Sequence, residues 1–97
     1  MISRAEPATF DESDWEDLTG PDKKALTTLN RYGFSFGFEP LARAAGVGQK
    51  SVDSLMSKGM MVEGEHGLHG RYFKLTEKGS LALEWLNGNR IREYPKR

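Results

Sequence analysis

The stretch AAGVGQKSVDSLMSKG, residues 44–59, decides how this chain is read. Two small alanines run into Gly46-Val47-Gly48, and a polar, lysine-bearing segment follows with Val52, Leu55 and Met56 at helical spacing. Small side chains let two helices approach closely, and a glycine lets the backbone turn sharply between them. The pattern predicts a helix, a tight turn and a second helix whose inner stripe is apolar and whose outer face is polar and basic.

Working outward, Pro40 opens the first of these helices over Leu41 to Ala45, and Ala42, Ala45 and Gly46 fall where close approach and turning are needed. The second runs from Gln49 to about Lys58, and Gly59 ends it. Upstream, Gly20-Pro21 signals a helix start; Ala25, Leu26, Leu29 and Tyr32 recur at helical spacing before Gly33 stops it. Phe34-Ser35-Phe36 alternates and reads as a brief strand. Downstream, Met60–Glu63 and Arg71–Thr76 read as two strands joined by a glycine-rich loop, long, flexible and exposed. Thr76 can cap a last helix holding Leu81, Ala82, Leu83, Trp85 and Leu86, which Asn87-Gly88 ends. Residues 1–19 read as an acidic, partly disordered arm anchored by Phe10, Trp15 and Leu18, with Ser13 and Glu16 spaced for a capping box. Residues 20–88 form the domain, and residues 89–97 a loose basic tail. The fold class is α+β, mainly helical.

At this point a resemblance becomes specific. Leu41, Ala42, Ala45, Gly46, Val47, Val52 and Leu55 match the spacing of the bacterial helix-turn-helix pattern. The run MVEGEHGLHGRYFKLTEKG, residues 61–79, resembles the wing of a winged-helix regulator. Its end, FKLTEKG, looks much like the strand-to-helix junction of the multiple-antibiotic-resistance regulator superfamily, whose members often carry Leu-Thr-x-x-Gly there. The resemblance covers residues 21–88 and implies a winged helix-turn-helix: three-helix core, short strand, two-stranded wing and C-terminal helix. The chain departs from that family in lacking an acid-x-arginine motif in the wing and long terminal helices, so the family's ligand pocket and dimer geometry do not carry over.

The resemblance implies binding to double-stranded DNA, with helix 49–58 in the major groove and the 63–71 wing on flanking backbone or minor groove. Gln49, Lys50, Ser51 and Ser54 then stand at the DNA edge, where Gln pairs with adenine and Lys donates to guanine acceptors. Lys58 and Arg43 are phosphate candidates, joined by Lys23 or Lys24. His69, Arg71 and Lys74 are the wing candidates. His66 and His69 have no third ligand partner and no cysteine near them, so no metal and no cofactor is expected. The surplus apolar surface of the last helix, Leu83 or Trp85, could form a homodimer seam or seat Phe10 and Trp15.

Composition sets the outer limits. Ninety-seven residues make one small domain with a thin core. The absence of cysteine removes disulfides and thiol chemistry and suits a reducing cytoplasm. No apolar run resembles a signal peptide or a membrane span. The formal net charge of zero conceals an asymmetry: residues 1–20 sum to −5 and residues 21–97 to +5. An acidic arm before a basic body hints at a polyanion partner. No nucleophile–base pairing, phosphate loop or metal cluster is readable, so an enzyme is not expected. The expectation is a small bacterial or phage-type transcriptional regulator; the alternative is a winged-helix protein-protein interaction module without DNA binding.

Overall fold

The computed structural model describes residues 8–68 and 70–93. Four α-helices and a small antiparallel sheet make an α+β fold: α1 (Glu12–Asp17), α2 (Gly20–Arg31), β1 (Glu39–Pro40), α3 (Gln49–Ser57), β2 (Met61–Glu63), β3 (Tyr72–Leu75) and α4 (Glu77–Leu86). A single 3-10 turn, Leu41–Arg43, lies between β1 and α3. The sheet order is β1-β3-β2, with Glu39 opposite Phe73 and Met61 opposite Leu75. The core gathers Leu26 and Leu29 from α2, Val52 and Leu55 from α3, Phe73 and Leu75 from β3, and Leu81, Ala82 and Trp85 from α4, with Phe34 between them. No described helix is long and apolar enough to cross a membrane.

Two local expectations change. Phe34-Ser35-Phe36 is a turn, not a strand. Phe34 is instead a core residue, and its carbonyl accepts from the Leu75 amide at 2.9 Å. The strand forms five residues later, at Glu39–Pro40, because β3 supplies its partner there. The helix expected over Leu41 to Ala45 is only the 3-10 turn. Its tighter winding buries Ala44 and leaves Ala42 and Ala45 exposed. Leu41 and Val47 still pack against the core, and Gly46 makes the turn into α3 with φ of 91°.

The Leu75-Thr76-Glu77-Lys78-Gly79 junction has a plain physical role. The Thr76 hydroxyl accepts from the Gly79 amide at 3.1 Å, capping α4, and donates to the Gly59 carbonyl at 2.7 Å. Gly79 lets α4 pass the β2 entrance: a Cβ there would lie 2.5 Å from the Met60 carbonyl oxygen.

From residue 8 onward the arm is ordered on the domain; residues 1–7 lie outside the described residues. Phe10 is 0% exposed and meets Trp85 edge-on, with ring centroids 5.1 Å apart. The capping box of α1 uses Asp11 and Asp14 rather than Ser13 and Glu16. Trp85, itself 2% exposed, is the seat for Phe10 and Trp15, and Arg90 stacks over both tryptophans. The start of the tail joins this clasp. Phe10 N–H donates to the Arg92 carbonyl at 2.8 Å, Thr9 bridges Glu93, and Arg92 pairs with Glu12. Residues 94–97, the rest of the expected loose tail, lie outside the described residues.

Candidate nucleic-acid interface

Three of the four α-helices have a side chain capping their first turn; α3 does not. Its N-cap is Gly48, with no side-chain hydrogen bond, whereas Asp11, Thr19 and Thr76 cap the others. The first-turn amides of α3 are thus left with the helix's positive end facing outward. Gln49 and Lys50 are exposed in that turn and Ser51 is half-buried. Lys50 makes no ion pair among the described residues. Gln49 donates through Nε2 to Asp53 at 2.9 Å, which fixes its side chain along the helix and quiets the acid beside it.

The other end of α3 is anchored. Asp22, 2% exposed on α2, accepts from the Thr19 amide at 3.1 Å, from the Ser54 hydroxyl at 2.9 Å and from the Lys58 ammonium. Lys58 also donates to the Asp17 carbonyl at 2.8 Å. Burial opposes the charge on Asp22, but the Lys58 ammonium and the Thr19 and Ser54 donors outweigh it and hold the carboxyl below its ordinary range. Ser54 and Lys58 therefore turn inward, onto α2 and the end of α1, and not toward a partner. Sequence reasoning missed Asp22. Its local signal was Thr19-x-x-Asp22, a capping spacing one helical turn into α2; its long-range partners lie 32 and 36 residues away.

The wing cations are placed differently from one another. Arg71 forms a fork with Glu63, Nε to Oε2 at 2.9 Å and a terminal nitrogen to Oε1 at 2.8 Å. That bond holds the Glu63 carboxyl below its usual range and raises Arg71 further. Helix α3 packs against β2, so the base of the β2–β3 hairpin lies beside it. Lys74 stands on the opposite sheet face from buried Phe73, its ammonium 6.0 Å from the centre of the Phe38 ring. Arg43 is exposed and pairs loosely with Glu39 at 3.6 Å. His69 lies outside the described residues. Lys24 is exposed, and Lys23 sits 4.1 Å over Trp15, part of the arm's seat.

The loop between β2 and β3 is exposed at residues 65–68 and 70, and two aromatic rings lie against its glycines. A Cβ on Gly64 would fall 2.6 Å from the Phe38 ring, and one on Gly67 would fall 2.4 Å from the Tyr72 ring. Phe38, Tyr72 and the loop backbone thereby line a shallow groove with Glu65 and His66. Val62, also exposed, extends the apolar outer face of the sheet. His66 approaches Glu63 at 3.8 Å, and among the described residues no group of three or more His, Asp or Glu side chains could hold a metal ion.

No protein-family model, no curated protein and no solved structure matches the chain. The arrangement therefore speaks only through its own chemistry. It offers a helix end without a side-chain cap, with Lys50 unpaired among the described residues, a β2–β3 hairpin beside it, and an outer sheet face that carries Phe38, Val62 and Lys74.

Proposed function

We propose that the chain is a winged helix-turn-helix that binds double-stranded DNA sequence-specifically, as a small cytoplasmic transcriptional regulator. The observation that carries this reading is the uncapped, outward-facing first turn of α3, with Gln49 and Lys50 exposed on it and Asp22 bracing the helix from behind. Helix N-termini reach phosphates through their backbone amides, and the side chains of the same turn reach base edges. The element order and the β1-β3-β2 sheet are compatible with the reading, because the two-stranded hairpin β2-β3 follows α3 and packs against it. Gln49, Lys50 and Ser51 are the base-edge residues; Arg43, Arg71 and Lys74 flank them toward phosphate. Glu63 and Arg71 form an acid–arginine pair across the wing base, where the loop sequence itself has no acid-x-arginine run.

A second reading has its own support. Arg71, Arg43, Lys58, Lys78 and Arg92 all face carboxylates, which lowers the cationic field a DNA backbone would meet. The exposed Phe38 and Val62 suit a protein partner better than a phosphate backbone. That reading is a winged-helix interaction module.

Selection from random duplex DNA, at two salt concentrations, separates the two. The DNA reading expects one enriched motif, with affinity falling as salt rises; Lys50→Ala should relax the motif and reduce the salt slope by about one. A palindromic motif would indicate a homodimer. Because Trp85 is covered within the chain, a seam on α4 would rest on half-buried Leu83. No enrichment at either salt would favour the protein module.

A further inference from the structure

The β2–β3 hairpin ends in an apolar side chain that no other described residue covers. Leu68 is 98% exposed, the highest value among the exposed large hydrophobic residues. A single exposed leucine is ordinary on a protein surface. The mount under this one is not. Gly67 and Gly70 exchange backbone hydrogen bonds of 2.8 and 3.1 Å, closing the narrowest turn the hairpin makes. The Tyr72 ring lies against Gly67 and the Phe38 ring against Gly64, so the approach to that turn is supported from beneath. A narrow, hydrogen-bonded turn therefore presents one apolar side chain to solvent.

Charge narrows what such a tip can do. The wing's arginine, Arg71, is committed to Glu63 through two hydrogen bonds. Glu65 is exposed between the wing base and the tip, and His66 faces Glu63. The sequence of the tip, residues 64–70, holds no arginine or lysine, and its one large apolar side chain is Leu68. Steric insertion is the chemistry that Leu68 provides.

We infer that Leu68 is a wedge that enters the minor groove of bound duplex DNA and partly unstacks one base step. The inference rests on the DNA-binding reading and specifies how the wing takes part in it. The α3 helix packs directly against β2, and the Met60 amide donates to the Leu55 carbonyl at 2.9 Å, so α3 in a major groove carries the β2–β3 hairpin toward the adjacent minor groove. Apolar wedges at minor-groove steps kink duplexes toward the major groove, and the bend brings more protein surface onto the DNA. Pyrimidine–purine steps unstack most easily, so the wedge selects a TA or CA/TG step at a fixed distance from the bases read by α3.

The test uses the full chain and the duplex motif enriched by selection. Bend angle is measured by energy transfer between end labels, and stacking by 2-aminopurine fluorescence at each flanking step in turn. Wild type should bend the duplex and brighten one position. Leu68→Ala should lose that brightening and most of the bend, and bind roughly tenfold more weakly. Its salt slope should be unchanged, since no phosphate contact is removed. Leu68→Phe should restore the brightening. Equal bend, fluorescence and affinity for wild type and Leu68→Ala would overturn the wedge while leaving DNA binding intact, and would make Leu68 a protein contact instead. Failure of wild type to enrich any duplex would overturn both. Because Leu68 is 98% exposed, thermal melting should be the same for all three proteins, so a binding difference is not a folding defect.

Discussion

Replacing Asp22 with alanine should unfasten α3 from α2, and the size of the effect can be worked from the contacts. The substitution leaves three donors without their acceptor: the Thr19 amide, the Ser54 hydroxyl and the Lys58 ammonium. Removing one partner of a fully buried ion pair costs about 3–5 kcal/mol, because the other charge is stranded. Lys58 is not fully stranded, since its side chain is 18% exposed and keeps the Asp17 carbonyl. The expected loss is therefore about 2–3 kcal/mol, or roughly 10–20 °C in Tm for a domain of this size. Asp22→Asn keeps the shape and one carbonyl acceptor but loses the charge, and should cost less. A double-mutant cycle of Asp22→Asn with Lys58→Met isolates the pair, with an expected coupling of about 1–2 kcal/mol. The pH dependence follows from the lowered Asp22 pKa. The unfolded chain binds the proton more tightly than the folded one. Stability from this group is thus complete above the ordinary carboxylate pKa of about 4 and is lost as pH falls through the lower folded value. Urea denaturation from pH 2 to 7 should show a steeper acid decline in wild type than in Asp22→Asn. An Asp22→Ala protein within about 0.5 kcal/mol of wild type, or a coupling indistinguishable from zero, would refute the argument, because those are the values of a solvated surface pair.

Other substitutions probe the rest of the frame. Gly79→Ala should destabilise the fold by about 2 kcal/mol or more, since its Cβ would meet the Met60 carbonyl oxygen and backbone must move; chemical denaturation measures it. Phe10→Ala should cost about 3–5 kcal/mol despite its place in a polar terminal segment, and a loss under 1 kcal/mol would show that the arm is not part of the core. Tyr72→Ala should leave the helices intact but speed amide hydrogen exchange in the 64–71 loop, because the ring that props Gly67 is gone. Unchanged exchange there would mean the loop is held by its backbone bonds alone.

How far the sequence carries the reading differs by element. Helices α2, α3 and α4 were legible because each carries an apolar stripe at helical spacing and a local stop or start signal. The 3-10 turn was not, because five good helix-formers between Pro40 and Gly46 are too few to repay nucleation once Pro40 pairs with Tyr72. Strand β1 has two residues, and its existence depends on β3 rather than on its own pattern. The α1 cap was placed two residues late, because Ser13-x-x-Glu16 and Asp11-x-x-Asp14 are both competent spacings and only the docking of Phe10 and Leu18 chooses between them. In the candidate interface, Gln49, Lys50 and Ser51 stand as a helical wheel places them. Ser54 and Lys58 lie on the flank of that wheel, where periodicity alone leaves the direction open, and a carboxylate from another helix decides it. The Glu63–Arg71 fork was hidden because it depends on the register of β2 on β3, which sets Glu63 opposite Phe73, two residues from Arg71.

The clasp between Thr9-Phe10 and Arg92-Glu93 has a mechanical meaning. The two segments run antiparallel, so the chain leaves Thr9 toward its start and Glu93 toward its end in the same direction. Tension applied through the two ends would load that short ladder one bond at a time, as a zipper opens, and not all bonds together as in shear. The Phe10 amide bond, the Arg92–Glu12 pair and then the Phe10 ring against Trp85 would yield in sequence, while the contacts between α2 and α3 carried no load. A domain joined at both ends to other chain would thus give way first at this clasp, exposing Trp85 and Trp15 before α3 is disturbed, and tryptophan fluorescence would report that first yielding.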